Sequence, residues 1–328
     1  MRKSLIAIFV AITCMACKED KTSSQDLLSS STGSMNTISV VVDNESWSGS
    51  VGEGVRNVLA ASIYGLPQDE PIFNINQIPP HVFDGFITKN RTVLKIVKGT
   101  KNISFKKDVY AKPQRVIQIS GNTKKEILDV LNENSDKIIS TFKNVELKAK
   151  QRLIKKSLYN TRVLEDNLGI KINFPTAYRI AKTIATDADK FYWIKRDIPT
   201  GYVNLLLYEL PMHKINKDTN VISQIVKIRD SIGEKYIEGP VEGSYLITEN
   251  AYTPFHTQTI VDNKPTLETK GLWEVKNAFM GGPYVNYAIE DKINKRWIVV
   301  EGFAYAPSVS KRNYMFELEA IIKSIKIL

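Results

Sequence analysis

QRVIQISGNTKKEILDVLNENSDKIISTF, Gln114–Phe142, changes its hydrophobic period in the middle. Gln114 to Ser120 alternates β-branched and polar residues, the pattern of a half-buried strand. Gly121 and Asn122 interrupt it, and Thr123 with Glu126 forms a capping-box pattern for a helix start. From there Ile127, Leu131, Ile138, Phe142, Val145 and Leu153 recur at helical spacing, which predicts one long amphipathic helix from Thr123 to about Leu158. A stripe of that length must be buried against a sheet.

The surrounding sequence repeats the pattern. Ile38 to Asp43 reads as a strand, Glu53 to Ser62 as a short helix, and the proline-rich Tyr64 to Pro71 as a loop. Phe83 to Ile87 and Thr92 to Lys98 join Gln114 to Ser120 as three strands of an antiparallel sheet. In the second half, Phe191–Ile194, Tyr202–Leu210, Tyr245–Thr248, His256–Val261, Leu272–Val275, Tyr284–Ile289 and Trp297–Tyr305 read as strands. Helices are expected at Ile222–Tyr236 and Lys311–Ile325. Because Gln114–Phe142 loosely mirrors Trp297–Ile325, the expected class is α+β, with mostly antiparallel sheets packed against helices in two related lobes, 38–165 and 166–328. One continuous sheet with helices on a single face is the alternative.

The 328 residues, 43% hydrophobic and 24% charged, suit a folded protein and exclude a disordered one. Both cysteines, Cys14 and Cys17, fall in the first 17 residues, which excludes a disulfide scaffold, a thiolate zinc site and a catalytic thiol in the body. His81, His213 and His256 stand in no metal-ligand spacing, and no phosphate-binding GxxxxGKS/T or complete GxGxxG occurs. No metal and no cofactor is expected.

The amino terminus gives the address. Met1, Arg2 and Lys3 precede the apolar run Leu5–Ala16, too short for the ~20 residues a spanning helix needs, so 1–16 reads as a signal peptide. It ends at Cys14-Met15-Ala16-Cys17, which resembles a bacterial lipobox. In such signals the chain is cut just before the cysteine, here Cys17, whose thiol carries diacylglycerol and whose new amino group usually receives a third acyl chain; Cys14 is the weaker candidate. Two or more chains make a durable membrane anchor where one is marginal. Lys18-Glu19-Asp20-Lys21 resembles the signal that sends Bacteroidetes lipoproteins to the outer face of the outer membrane. The Ser- and Thr-rich stretch that follows makes 17–37 an expected flexible tether.

Removing Arg2 and Lys3 takes the formal net charge from +10 to about +8. Lys148, Arg152 and Lys156 share one helical face in the richest basic stretch, Lys143–Lys156. No nucleic-acid module accompanies it, so the expected attraction is to anionic lipid headgroups.

The runs Arg229-Asp230, Gly239-Pro240-Val241-Glu242-Gly243-Ser244-Tyr245, Gly271-Leu272-Trp273-Glu274, Met280-Gly281-Gly282-Pro283, Glu301–Pro307 and Lys311-Arg312-Asn313-Tyr314-Met315 are similar to those of the DUF4837 family, Bacteroidetes lipoproteins of unassigned function. Trp47, Gly65-Leu66-Pro67-Gln68, Glu70 and Ala111-Lys112-Pro113-Gln114 extend the resemblance over nearly all of the mature chain. Lys270 and Tyr284 stand where the family tends to Arg and Phe. The resemblance implies a compartment and no reaction.

Glu242, Glu274 and Glu301 are the carboxylates that could serve as acid and base on a glycan, which needs separations of ~5 to 9.5 Å. The plainer reading pairs them with Arg229, Lys270 and Arg312 or with turn amides. Ser244 lacks a nucleophile elbow and reads as a turn residue, and Met280 to Pro283 reads as a tight loop or an anion nest. Trp193 and Trp297 read as core and Trp273 as the surface aromatic, while Arg229, Asp230, Ser244, Trp273, Met280, Gly281, Gly282, Lys311 and Arg312 form the candidate ligand or partner surface. The expected function is a non-catalytic binding or assembly component of the envelope, anchored to the bilayer through Cys17, with a protein partner or a glycan as its target. A surface glycan hydrolase is the alternative.

Overall fold

The structure, a computed structural model, describes residues 28–187 and 189–328, so the signal peptide and Cys17 lie outside the described residues. The first lobe contains β1 (Thr37–Val41), α1 (Asn44–Ser48), α2 (Ser50–Leu59), β2 (Asn74–Ile78), β3 (Thr92–Lys98), β4 (Asn102–Lys107), β5 (Arg115–Gly121), α3 (Lys124–Glu133) and α4 (Ser135–Ile154). Its sheet has the order β2-β1-β3-β5-β4, and only β4 runs antiparallel to its neighbour. The antiparallel arrangement expected for this lobe is therefore corrected. Leu94, Ile96, Ile117 and Ile119 pack under the helices, while Val41, Val93 and Val116 fill a second cluster on the opposite face. Burial on both faces is the habit of parallel strands. Phe83–Ile87 is no strand: it lies in the crossover from β2 to β3, partly in 3-10 turns, with Phe83 folded onto the second face.

The capping box forms as read: Thr123 Oγ1 accepts from Glu126 N at 3.2 Å, and the Glu126 carboxylate accepts from Asn122 N at 2.7 Å. The expected single helix is broken at Asn134, whose side-chain amide donates to Val130 O instead of leaving the ladder intact.

The second lobe follows with α5 (Arg162–Leu168), β6 (Ile170–Lys171), β7 (Arg179–Ala185), β8 (Lys190–Ile198), β9 (Gly201–Pro211), α6 (Val221–Tyr236), β10 (Leu246–Thr248), β11 (Phe255–Val261), β12 (Lys264–Val275), β13 (Ala278–Asp291), β14 (Arg296–Tyr305), α7 (Arg312–Ile322) and β15 (Lys326–Ile327). Its large sheet is antiparallel, ordered β10-β12-β13-β14-β9-β8-β7 with β11 also on β12. Alternation sends Leu206, Tyr208, Tyr284, Trp297 and Phe303 to the α6 side, and Leu205, Leu207, Val285, Ile298 and Val300 to the α7 side. The sheet is thus the middle of three layers, which explains why β9, β13 and β14 read as continuous apolar runs. The chain is α+β as expected. The likeness between Gln114–Phe142 and Trp297–Ile325 is a shared strand-then-helix order on two sheets of different topology.

Helix α4 belongs to both lobes. Ile138 and Phe142 sit in the first core, Leu147 and Ile154 in the second. Lys143 and Lys150 pair with Glu319 (2.9 Å) and Glu317 (2.6 Å) of α7, and Gln151 Nε2 donates to Ala320 O. Glu146, fully buried, accepts from Arg91 Nε at 2.8 Å and Nη2 at 3.1 Å and from the backbone of Asn36 at 2.9 Å. Asn36 ends a strap in which Ser29, Ser31 and Thr32 pair with Lys89, Arg91 and Lys112. Ser29, Ser31 and Thr32, at the far end of the expected 17–37 tether, are therefore part of the folded body, because these backbone groups find partners on the lobe.

Breaking a buried ion pair leaves the surviving charge uncompensated. Glu146→Ala strands Arg91 and frees the strap, so urea unfolding should show a loss of about 3–5 kcal/mol. Glu146→Gln, which can still accept from Asn36, should lose less.

Candidate functional site

The arginine, carboxylate and aspartate picked out in the sequence do meet, but inside the second core. Arg229 of α6 and Glu301 of β14 are each 2% exposed and form a two-pronged pair, Nε to Oε2 at 2.7 Å and Nη2 to Oε1 at 2.8 Å. Arg229 Nη1 donates to Thr248 Oγ1 at 2.5 Å, and Thr248 in turn donates its amide and hydroxyl to Asp230. Asn286 Nδ2 donates to Glu301 Oε2 at 2.9 Å, and the guanidinium lies 3.6 Å over the ring of Tyr284. Burial alone opposes charge on Arg229, yet Glu301 holds it above its ordinary value. A carboxylate so occupied is not free to trade protons with a substrate.

The three glutamates do not converge. Glu274 faces Gly281 in register, whereas Glu301 faces Asn286, five positions further along β13. At ~3.3 Å per residue that is roughly 17 Å, beyond any acid–base pair on one glycosidic bond. Trp273 belongs to the α6-side cluster, so alternation turns Glu274 to the opposite face from Glu301. Glu242 is exposed in a turn that Ser244 closes through its amide and hydroxyl on Val241 O.

Trp273 is 2% exposed, packed edge-on to Phe303 at 5.3 Å, so it is core and not a surface platform. Met280 to Pro283 is the start of β13 rather than a loop or nest. Gly282 is needed there because a Cβ would lie 2.1 Å from Ala304 O and 3.2 Å from the Trp273 indole nitrogen. Lys311 and Arg312, read as surface, are buried at the seam between lobes, where the Glu70 carboxylate accepts from both of their amides at 2.6 and 3.0 Å.

Beside this seam lies a cavity of about 590 Å³, within the ~300 to 1,000 Å³ typical of small-molecule sites. Neither half of the sequence contains it alone. Its apolar wall comes from Ala61, Ile63, Leu66, Ile72, Phe73 and Phe316, and Tyr64 stacks on Phe255 at its rim with ring centroids 5.1 Å apart. The polar wall comes from Asn36, Lys143, Lys270, Tyr284, Arg312 and Glu319. Gly65 adopts φ +82° and brings the rim loop against Lys270 and Gly271, where a Cβ on residue 65 would lie 3.1 Å from Lys270 Cβ. A Cβ on Gly271 would press on the Tyr284 ring at 2.9 Å.

The polar wall is electrostatically crowded. Glu319 receives Lys143 at 2.9 Å and Lys323 at 2.7 Å, and Lys270 pairs with Glu268 at 2.5 Å. Burial would raise the Glu319 carboxyl, but Lys143, Lys323 and Lys270 together hold it well below the usual range. Lys143 is lowered, by burial first and then, against the pull of Glu319, by Lys270 and Lys323. Burial pushes the Tyr284 hydroxyl up to about 12, so it remains a donor, and neither that hydroxyl nor the buried Asn36 Nδ2 has a partner. The arrangement can hold a small molecule. Among the described residues no group of three His, Cys, Asp or Glu side chains is placed to bind a metal. The sequence supplied Lys270, Tyr284, Arg312 and the Gly65–Glu70 run only as family motifs, and no local pattern announces that they share a wall.

Glu274 provides a pH test. Burial and then the neighbouring Glu249 carboxyl raise it above its ordinary value. A carboxyl raised in the folded state binds more protons there, so its penalty is absent in acid and fully present at neutral pH. Glu274→Gln should raise the Tm by about 1–2 °C at pH 7 and leave it unchanged near pH 3.5, as followed by calorimetry.

Two family descriptions match the chain, over different residues. Residues 31–155 match a family described as Domain of unknown function (DUF8532), so the DUF4837 match does not extend over the first half. No curated protein matches the chain. The crystal structure of LpqN, involved in cell envelope biogenesis of Mycobacterium tuberculosis, is 11% identical over 48% of this chain and 82% of its own, with a TM-score of 0.28. Residues 157–324, which carry the antiparallel sheet, the Arg229–Glu301 pair and the polar wall of the cavity from Lys270 to Glu319, match Domain of unknown function (DUF4837), and the chain belongs to that family.

Proposed function

We propose that this protein is an envelope lipoprotein, acylated at Cys17 and held at the outer membrane, that binds a small molecule between its lobes without transforming it. The observation that carries the reading is the cavity of about 590 Å³, apolar on one wall and cationic on the other. The lipobox ending at Cys17 supports the address. Among the described residues no helix is long and apolar enough to cross a membrane, so attachment through acyl chains is the route the sequence offers. Glu274 and Glu301 stand far apart on opposite faces of the sheet, and Glu301 is occupied by Arg229, which weighs against a glycan hydrolase built on them. Lys143 and Lys150 are engaged with Glu319 and Glu317, so any attraction to anionic headgroups falls to Lys148 and Arg152 on the exposed side of the helix and to Lys156 in the turn just past its end.

Two variants test the two halves of the proposal. Cys17→Ala should move the protein from the membrane fraction to the soluble one, and retention with membranes would contradict the anchor. Protein isolated from its own envelope should yield a stoichiometric small molecule on denaturing mass spectrometry, and Ala61→Trp, which places an indole in the cavity, should abolish it. Recovery of no such molecule from the parent, or equal recovery from the tryptophan variant, would contradict the binding site.

A further inference from the structure

We propose that the cavity between the lobes takes a single-chain amphiphile with an anionic head, phosphate or carboxylate, lodged against Lys143 and Lys270, its apolar chain running along Ile63, Leu66, Phe73 and Phe316. The inference rests on the reading that the cavity binds a ligand and goes further in naming the ligand's chemistry.

The lining carries three cations, Lys143, Lys270 and Arg312, against two carboxylates, Asp69 and Glu319. Three ammonium groups, Lys143, Lys270 and Lys323, share two carboxylates, Glu268 and Glu319. Arg312 adds a further cation to the wall, and the carboxylate nearest it, Glu70, already accepts from the amides of Lys311 and Arg312. Lys143 keeps 32% of its side chain accessible and Lys270 22%, and both line the cavity. An anion entering here meets a cationic surplus already desolvated by the fold, where each ion pair is stronger than in open water.

The unpartnered Asn36 Nδ2 and Tyr284 hydroxyl are enclosed by protein and do not open into the cavity, so contact with the head falls to the partly accessible ammonium groups of Lys143 and Lys270. Tyr284 is held in place from behind, with Arg229 over its ring and Gly271 leaving room for it. The buried Arg229–Glu301 pair thus supports the cavity without touching its contents.

The rest of the cavity asks for hydrocarbon. Ala61, Ile63, Leu66, Ile72, Phe73 and Phe316 offer no hydrogen-bonding side chain, and Tyr64 and Phe255 remain 71% and 44% exposed at the rim. An apolar rim of this kind lets a chain pass from a bilayer or carrier into the cavity without crossing a polar collar.

The test uses the chain from Lys18 onward, which retains every described element and avoids detergent. Binding of dodecyl phosphate, dodecanoate, dodecanol and dodecyltrimethylammonium, all below micelle formation, and of inorganic phosphate, is measured by displacement of a fluorescent fatty-acid probe. Both anionic amphiphiles should bind at least tenfold tighter than the alcohol or the cation, and inorganic phosphate should not displace the probe. A preference for dodecyl phosphate over dodecanoate assigns the head as phosphate, and the reverse as carboxylate. The Lys143→Met, Lys270→Met double variant should lose the tenfold preference and keep its affinity for dodecanol. The parent's own ligand series stands as a test even if that variant folds poorly. Equal binding of alcohol, cation and anion would overturn the anionic head and leave the cavity reading intact. Displacement by inorganic phosphate as strong as by dodecyl phosphate would overturn the apolar chain. Failure of every compound and of the probe itself to bind would overturn the cavity reading.

Discussion

One carboxylate fixes how the two lobes meet. Glu70, from the first lobe's long loop, accepts from the amides of Lys311 and Arg312 at the start of α7 in the second. Those amides have no partner within their own helix, and the positive end of the helix dipole favours a negative group there. Arg312 answers from the other side, its Nη1 donating to Pro71 O and Asn74 Oδ1. The result places the 61–70 loop over Lys270 and Gly271 as a roof. A seam built from directional bonds leaves a hollow beside it that two apolar faces would have closed.

Behind the roof the second lobe maintains a rigid back wall. A buried arginine is tolerable because Glu301, Thr248 and the Tyr284 face satisfy it together, with Asn286 completing the carboxylate's contacts. Gly271 and Gly282 are small for the same reason at two points: in each case a neighbouring aromatic ring or carbonyl occupies the space of a side chain. Motifs that look like scattered surface features in one dimension are therefore, in the second lobe, largely a single packing unit around Tyr284 and Trp273.

Much of the fold is legible in the sequence. The capping box at Thr123, the helix at Val221–Tyr236 and the strands β9 and β14 follow from period and turn chemistry alone. Strand direction in the first lobe was not, because alternation reports which face is buried and not which way a neighbour runs. The clue was that β3 carries Val93 and Val97 on one face and Leu94 and Ile96 on the other. Asn134 looked helical because its break arises from a single side-chain bond to Val130 O. Trp273 looked like a surface aromatic because its glycine-rich neighbours suggested loops, when those glycines in fact admit the indole and a crossing carbonyl. The cavity was beyond reach, since it needs Asn36, Ala61, Lys143, Lys270 and Arg312 from five separate segments, joined by a seam whose key bonds span more than 240 residues.

The most direct measurement is the electron density of the interlobe cavity in crystals of the protein isolated from its own envelope without added detergent. A ligand-holding cavity requires continuous density there, reaching from Lys143 and Lys270 toward the Tyr64–Phe255 rim. Density of discrete waters alone would contradict it.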